Sequence, residues 1–431
     1  MKKNVLQIAI VLLLTFSALT YFGMVISGEN RTFLTSNEKN DLKASDPSVN
    51  LSWNYTTQQE VRTVAISADG NLISASNVSP DGSVYLFNNT ESTSKLPLWI
   101  YSTGDSVYAT DISGDGNYIT AVNDDEHVFM FNNSITTPKE PIWDYATGNY
   151  MNDVAISRNG NYVVAARYEG SIILLNNTIA SPKTEMWSYA TGGLVWTAAI
   201  SGDGTYIVTG SEDDRVYLFN KNSATPTWNY STGGNVLSVA ISTDGNYIVA
   251  GSASNRVFLF HRSSSTPLWN YTAESEIFSV AINSNGQYIV AGGGDNRTYF
   301  FERSSSTPLW NFTAGDSISD YNYPRCAAIS DDGNYLVVGS LDNKIYIFSR
   351  SSSIPLFNYT TGGDITSVEI SADGTYIVAG SLDYGVYLIY NELPTTTNGG
   401  PAIPFGMSFL LLAVISVVGV VLVNRKRLNI H

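Results

Sequence analysis

An aromatic residue that recurs at nearly constant spacing constrains the fold of this chain more than any other feature. It opens each of eight repeat units, at Trp53, Trp99, Trp143, Trp187, Trp228, Trp269, Trp310 and Phe357. The spacings between successive markers are 46, 44, 44, 41, 41, 41 and 47 residues. A second marker, Ser-x-x-Gly, runs in the same phase from Ser67 to Ser371, with Asn283 replacing the serine in the sixth unit. Two landmarks in one phase at this period predict a solenoid or a β-propeller.

Each unit is predicted to contain four short β-strands. In the unit that begins at Trp228 they cover residues 228–230, 236–241, 247–250 and 257–260. These segments are rich in β-branched and aromatic residues and end at Gly, Asp, Asn or Ser, as strands and tight turns do. The pair Asp244-Gly245 stands where a hairpin turn is needed between the second and third strands. Four strands per unit of about 40 residues predict an all-β, eight-bladed β-propeller.

The units resemble WD-type propeller repeats, with residues 236–242 as the innermost strand of a blade. The Gly-His and Trp-Asp dipeptides of that family are missing, since Thr232-Gly233-Gly234 and Phe260-His261 stand in their places. The chain is therefore a divergent relative, and the family's structural Asp-His pairing is not transferred to it. The Trp-x-Tyr and Thr-Gly patterns are also similar to quinoprotein-like propeller repeats. The WD-type resemblance covers about residues 51–390.

The order of the strands indicates how the ring closes. The repeat region enters on a Trp-type strand at 51–55 and ends on a third-type strand at 386–389. In a WD-like arrangement the first strand completes the last blade, so that the two ends of the ring are hydrogen-bonded together. This closure leaves no open sheet edge in the final blade.

The segments outside the ring predict attachment to a membrane. Residues 1–27 form a signal peptide or an uncleaved anchor, residues 28–50 a flexible linker, and residues 391–402 a Pro/Gly/Thr stalk. Residues 403–423 carry no charge and are long enough to cross a bilayer as a helix. The basic tail at 424–431 should stay in the cytoplasm, which places the propeller outside the cell on a single-pass anchor.

The carboxyl-terminal segment is open to a second interpretation. Gly399-Gly400-Pro401 and Pro404-Phe405-Gly406, followed by the apolar helix and the basic cluster, are similar to the sorting signals of archaeal surface proteins. In that case the helix would be removed and replaced by a lipid. We favour the plain transmembrane anchor.

Composition excludes several classes of function. The net charge is −15 with 23 basic residues, which argues against a nucleic-acid surface. Cys326 is the single cysteine and is expected to be buried on an inner strand. The three histidines, His127, His261 and His431, show no metal-ligand spacing, and no nucleophile motif is present. We therefore expect a monomeric protein without catalytic residues, metal or cofactor.

Glycosylation sequons occupy a repeated position. Asn54, Asn229, Asn270, Asn311 and Asn358 lie in Asn-x-Ser/Thr sequons between the two aromatic residues of the outermost strand. The alternation of a β-strand points these asparagines away from their aromatic neighbours. They are predicted to accept glycans if the host cell glycosylates its surface proteins.

Acidic residues recur in the loop before the third strand. They are Asp81, Asp124, Glu169, Asp213, Asp295, Asp342 and Asp383, and the fifth unit has Asn255. A ring of carboxylates on one rim can bind a cation or a basic partner. Alternatively, each Asp organises its own turn, which is the interpretation we favour.

An insertion distinguishes the seventh unit. It lies at residues 316–325 and includes Asp320, Tyr321, Tyr323 and Arg325. Aromatic and charged residues that project from a regular scaffold are typical of recognition sites. These four residues are the predicted partner-binding site, and the alternative is that the extra length is tolerated drift.

Three functions fit this pattern. The leading hypothesis is a non-catalytic, membrane-tethered extracellular scaffold that binds a protein or a glycan through its rim. The quinoprotein resemblance implies instead a dehydrogenase that holds pyrroloquinoline quinone and calcium on the axis, with Trp196 and Arg325 as candidate contacts. A glycan-cleaving propeller would need paired carboxylates that face one cavity. Fold alone does not choose between these functions.

Overall fold

The computed structural model describes residues 49–78, 80, 82–90, 95–134, 139–179, 183–320, 323 and 325–392. Within these residues the chain forms 32 strands arranged in eight four-stranded sheets. The eight-bladed propeller is therefore confirmed. The predicted signal peptide, most of the linker and stalk, the membrane helix and the tail lie outside the described residues. Among those that are described, no helix is long and apolar enough to span a bilayer.

The first four blades run from the innermost to the outermost strand in chain order. Blade 1 contains β2 (Val61–Ile66), β3 (Leu72–Asn77), β4 (Ser83–Asn88) and β5 (Trp99–Ser102). Blade 2 contains β6 (Val107–Ile112), β7 (Tyr118–Asn123), β8 (His127–Asn132) and β9 (Trp143–Ala146). Blade 3 contains β10 (Met151–Ile156), β11 (Tyr162–Arg167), β12 (Ser171–Asn176) and β13 (Glu185–Ala190). Blade 4 contains β14 (Val195–Ile200), β15 (Tyr206–Ser211), β16 (Arg215–Asn220) and β17 (Trp228–Ser231).

The remaining blades repeat this order, and the last blade takes its outermost strand from the start of the chain. Blade 5 contains β18 (Val236–Ile241), β19 (Tyr247–Ser252), β20 (Arg256–His261) and β21 (Trp269–Thr272). Blade 6 contains β22 (Ile277–Ile282), β23 (Tyr288–Gly293), β24 (Arg297–Glu302) and β25 (Trp310–Thr313). Blade 7 contains β26 (Ala327–Ile329), β27 (Tyr335–Ser340), β28 (Lys344–Ser349) and β29 (Phe357–Thr360). Blade 8 contains β30 (Ile365–Ile370), β31 (Tyr376–Ser381), β32 (Gly385–Asn391) and β1 (Val49–Thr56).

The closure of the ring is confirmed by the pairing of β1 with β32. These antiparallel strands align Val49 with Asn391 and Thr56 with Gly385. Trp53 on β1 is 8% exposed, and its ring lies 5.4 Å from the ring of Phe87 in blade 1. The first strand therefore connects blade 8 to blade 1 as well as completing blade 8.

The hydrophobic core lies between adjoining blades. One cluster joins Val208 and Leu218 of blade 4 to Val236, Ile248 and Phe260 of blade 5. The inner strands are covered on both faces, because a neighbouring blade packs on each side. This packing accounts for their nearly continuous apolar sequences.

The turn between the first and second strands of a blade is built by the Ser-x-Asp-Gly motif. In blade 5 the Ser242 hydroxyl donates to Asp244 (2.6 Å), and Tyr247 N–H donates to Ser242 Oγ (3.0 Å). Gly245 has φ of 70°, a conformation that a residue with a Cβ rarely adopts. The predicted turn chemistry of the Asp-Gly pair is confirmed.

Candidate binding site

A β-bulge at the second residue of the innermost strand shapes the mouth of the central channel. The bulged residues are Arg62, Tyr108, Asn152, Trp196, Leu237, Phe278 and Thr366, in blades 1 to 6 and 8. A bulge leaves its extra residue without a direct cross-strand partner and re-aims the side chain. In blade 7 the inner strand is shorter, and Arg325 precedes it. The side chains of the bulged positions therefore determine the chemistry of the mouth.

A cavity of about 630 Å³ lies over blades 1 to 4, and we call it the mouth cavity. It is lined by Arg62, Asp105, Tyr108, Asp124, Tyr150, Met151, Asn152, Tyr168 and Trp196. Tyr150 and Tyr168 are 54% and 43% exposed. The Trp196 indole N–H donates to Glu212 Oε1 at 3.1 Å, and its ring meets the Tyr168 ring edge-on at 6.4 Å. The loops between blades supply Asp105 and Tyr150, so the cavity opens on the rim that also carries the insertion.

One wall of the mouth cavity contains a stacked cation. The Arg62 guanidinium lies 5.0 Å from the centre of the Tyr108 ring and 4.9 Å from that of the Tyr323 ring. A guanidinium between two aromatic faces is stabilised by both. The insertion of blade 7 therefore contacts blade 1 through Tyr323.

Two carboxylates face the same cavity. Burial raises the pKa of Asp124, and the negative charge of Asp105 raises it further. The nearby Tyr108 hydroxyl and the charge of Arg62 oppose this rise in pKa. The cavity thus places the carboxylates of Asp105 and Asp124 close enough to repel each other, beside the basic residue Arg62.

Below the mouth, arginine side chains cross the channel in opposite directions between blades 3 and 7. Arg325 of blade 7 pairs with Asp153 of blade 3 and donates to Val154 O at 2.7 Å. A second ion pair runs in the opposite direction, from Arg158 of blade 3 to Asp331 of blade 7, at 2.7 Å. In a ring of eight, blades 3 and 7 are opposite one another. The two ion pairs therefore link opposite sides of the ring across the channel.

Acidic side chains surround Arg325 in the channel. Asp153 accepts the Ala198 N–H of the next blade at 2.9 Å, and Asp111 accepts the Ile156 N–H at 2.9 Å. Asp111, Asp153, Arg325 and Glu369 line one chamber of about 280 Å³. Burial raises the pKa of Glu369 to about 7, the charge of Asp111 adds to the rise, and Arg325 opposes it.

Replacing Glu369 should change how stability depends on pH. Between about pH 4.5 and 7 the folded protein holds a proton on Glu369 that the unfolded chain releases, so this group lowers stability as pH rises. Asp111, Asp153 and Arg325 face Glu369 in both proteins, so their own titrations enter both curves. We expect Glu369→Gln to melt at a higher temperature than the wild type at pH 8 and at a similar temperature at pH 4.

Melting curves across this pH range would measure the effect. Glu140→Gln, at an exposed position, is the matched control and should leave both temperatures unchanged. An equal shift at pH 4 and pH 8 would contradict the assignment of the titration to Glu369.

The predicted rim acids occupy two different environments. Four of them accept a hydrogen bond from a tyrosine hydroxyl of their own blade, and these are Asp213 from Tyr217, Asp295 from Tyr299, Asp342 from Tyr346 and Asp383 from Tyr387. Each also accepts the N–H of the residue two positions ahead, as in a turn-organising Asp. Asp124 instead lines the mouth cavity. Glu169 stands in the corresponding turn of blade 3, and Asp81 lies outside the described residues.

Two described residues of the insertion do not project from the ring as expected. Tyr323 packs on Arg62, and Arg325 enters the channel to pair with Asp153. Ser319 and Asp320 are the last described residues before this part, and Tyr321 lies outside the described set. The reason is electrostatic, because the guanidinium of Arg325 finds its counter-charge on the opposite side of the channel. Partner binding by these residues stays a prediction.

The sequon asparagines of the outermost strands lie at the surface. Asn54, Asn229, Asn270, Asn311 and Asn358 are all exposed, between half-buried or buried aromatic neighbours. The orientation expected from strand alternation is confirmed. Their glycosylation stays a prediction.

Two family models match parts of the sequence. The model for the WD domain, G-beta repeat, matches residues 50–88. The model described as outer membrane protein assembly factor BamB, of the PQQ type, matches residues 190–388. The chain is therefore a β-propeller whose repeats are similar to those of the WD40 and PQQ types. No curated protein matches the sequence.

Solved structures with the same fold include Sqt1 of Chaetomium thermophilum. Sqt1 bound to the N-terminus of the ribosomal protein L10 superposes with a TM-score of 0.67 at 17% identity, covering 77% of this chain and 97% of that chain. Sqt1 alone gives a TM-score of 0.67 at 18% identity, covering 78% and 95%. At such identities the likeness shows the propeller fold and nothing finer.

The residues that the quinoprotein resemblance suggested do not fit a quinone. Arg325 lines the channel chamber and is bound to Asp153, whereas Trp196 lines the mouth cavity. Within the described part of the propeller, no group of three or more His, Cys, Asp or Glu side chains could hold a metal ion. Trp196 and Arg325 therefore do not share one cavity.

Cys326 is buried as expected, and it should be unreactive in the folded protein. Its thiol donates to Ile365 O at 3.3 Å, and burial raises its pKa to about 12. The nucleophilic thiolate is therefore almost absent at neutral pH. We expect maleimide labelling of the native propeller to be slower than that of the urea-unfolded chain by more than about 100-fold. Comparable rates in the two states would contradict the burial of this thiol.

Sequence reasoning missed the acids of the channel, although the repeat contained a signal for them. Asp153 stands where other inner strands have Thr63, Thr197 or Ser238, and Asp111 and Glu369 stand where other blades have alanine. A charged residue that replaces a small one at a buried repeat position indicates a special role. The signal for Tyr108 and Trp196 was that the residue type varies from unit to unit at the bulged position.

Proposed function

We propose that this propeller is a non-catalytic scaffold that binds a partner protein at the mouth cavity. The observation that carries the proposal is a cavity of about 630 Å³ on the loop face, edged by the exposed rings of Tyr150 and Tyr168. Aromatic side chains at an opening are typical of the centres of protein interfaces. The Sqt1 propeller bound to the N-terminus of the ribosomal protein L10 is an example of this fold holding a protein terminus.

We further propose that the scaffold is tethered to the outer side of a cell membrane. The sequence supports this through the uncharged segment 403–423 and the basic residues Arg425, Lys426 and Arg427 that follow it. The exposed sequons on the outer strands agree with an extracellular location. Protease treatment of intact cells should digest the propeller, and digestion only after cell lysis would overturn this topology.

Photo-crosslinking in cells tests the binding site. A benzophenone amino acid in place of Tyr150 should yield a discrete adduct with a partner protein, identified by mass spectrometry. The matched control is the same amino acid in place of Leu268, which is 52% exposed but lies in the turn between β20 and β21 on the opposite face. No adduct from position 150, or equal adducts from both positions, would overturn the mouth cavity as the binding site.

A further inference from the structure

We infer that the mouth cavity accepts a lysine or arginine side chain from a basic segment of the partner. This inference rests on the proposed function and specifies the chemistry of the same site. It is carried by the charge of the cavity lining together with the placement of the aromatic rings. Each observation points independently to a cationic group.

The described side chains that line the mouth cavity carry a net formal charge of −1. Asp105 and Asp124 contribute −2, and Arg62 is the single basic residue among the described lining residues and contributes +1. The difference of −1 matches one incoming cation. The whole chain has a net charge of −15, which would attract a basic segment from a distance.

The aromatic rings provide a surface that suits a cation. Arg62 already lies between Tyr108 and Tyr323 at 5.0 and 4.9 Å, so one side of the cavity stabilises a guanidinium of the protein itself. On the other side, Tyr150, Tyr168 and Trp196 present further rings to the same space. A cation above such rings gains about 0.5 to 2 kcal/mol, more as water is excluded. The arrangement would thus hold a second cation beside the first.

The carboxylate pair gives the site a pH dependence. The pKa of Asp124 is raised by burial and by the charges of Asp105 and Asp125, while Tyr108 and Arg62 oppose the rise. A bound cation favours the ionised form of Asp124, so protonation and cation binding compete. Affinity for a basic segment should therefore decrease as pH falls through the raised pKa of Asp124.

An uncharged partner would not relieve this repulsion. Sugars also stack on Tyr and Trp rings, but a neutral sugar brings no positive charge to the carboxylates of Asp105 and Asp124. The observations thus favour a basic protein segment over a glycan, and a glycan partner becomes an outcome of the test.

The test uses the full chain in detergent and a fluorescein-labelled octapeptide of alternating lysine and alanine. Its control peptide carries Nε-acetyl-lysine at every lysine, which preserves length and removes charge. We expect fluorescence anisotropy to show binding of the lysine peptide at least about tenfold tighter than that of the acetylated one. The double variant Asp105→Asn with Asp124→Asn should bind the lysine peptide about tenfold more weakly. Its affinity should also no longer depend on pH.

Asp125→Asn provides the matched variant, because it removes the same charge from an exposed neighbour of Asp124 that does not line the cavity. We expect it to change affinity by less than about twofold. Equal losses of affinity in the double variant Asp105→Asn with Asp124→Asn and in the Asp125→Asn protein would show general attraction by the acidic surface and overturn the inference. Melting temperatures of all variants would show that each is folded.

The inference and the proposed function can fail separately. If crosslinking at position 150 captures a partner and the double Asn variant binds that partner unchanged, the cavity is the binding site but its ligand is not cationic. A glycan-modified or neutral partner would give this result. If position 150 captures nothing, the proposed function itself fails.

Discussion

Deletion of β1 is expected to open the ring and remove most of its stability. Val49 and Trp53 are buried, and Leu51 and Tyr55 are partly buried, in the blade 8 and blade 1 cores. Loss of these four side chains should remove about 5 to 8 kcal/mol, at about 1.5 to 3 kcal/mol for each fully buried one. Domains are stabilised by about 5 to 15 kcal/mol in total, so the shortened protein should be marginally folded. The deletion also exposes the edge of β32, which favours aggregation.

Urea unfolding of a protein lacking residues 1–56 measures this effect. The matched control is a circular permutant that begins at residue 57 and carries residues 49–56 after Glu392 through a two-residue turn. Val49 lies opposite Asn391, so a tight hairpin can join the two strands. We expect the permutant to regain most of the lost stability. A deletion protein that unfolds at the wild-type urea concentration would show that β1 does not close the ring.

Asp153→Asn should be the most destabilising single replacement in the channel. Asp153 has 5% and Arg325 21% of its side chain exposed, so the change leaves a largely buried guanidinium without its main counter-charge. Breaking a buried pair in this way costs about 3 to 5 kcal/mol. We expect about 3 kcal/mol, because Asp111 and Glu369 also face Arg325 and compensate in part.

The second ion pair across the channel is the matched control for this prediction. Asp331→Asn makes the same chemical change in a pair between the same two blades, but there both side chains are 37% exposed. Exposed pairs contribute about 1 kcal/mol or less. The double variant Asp153→Asn with Arg325→Met should recover part of the loss, since no charge is then left buried. Equal destabilisation by Asp153→Asn and Asp331→Asn would contradict the proposed role of burial.

The strand pattern was predictable because it depends on short-range periodicity. The inner strands Val236–Ile241 and Tyr247–Ser252 were found to within two residues, since apolar and β-branched runs end at turn residues such as Asp244 and Gly245. Closure by Trp53 was predictable because the order of strands in the sequence leaves one place for the first strand. The aromatic spacing therefore determined the blade count and the way the ring closes.

The composition of the binding site was less accessible to sequence. Arg325 was expected on a projecting loop, and it lies instead in the channel beside Asp153, 172 residues away along the chain. The sequence around either residue does not indicate that blades 3 and 7 lie opposite each other. Their pairing becomes visible only when the ring is closed.

The sequence by itself determined the repeat, the number of blades and the closing strand, because each depends on residues within one unit or on the order of units. The tertiary structure alone decided which side chains share the channel and its mouth. Arg62, Tyr108 and Trp196 meet at one cavity because bulges in three different blades turn them to the same opening. Curvature of the ring brings these positions together, and curvature comes from the packing of whole blades.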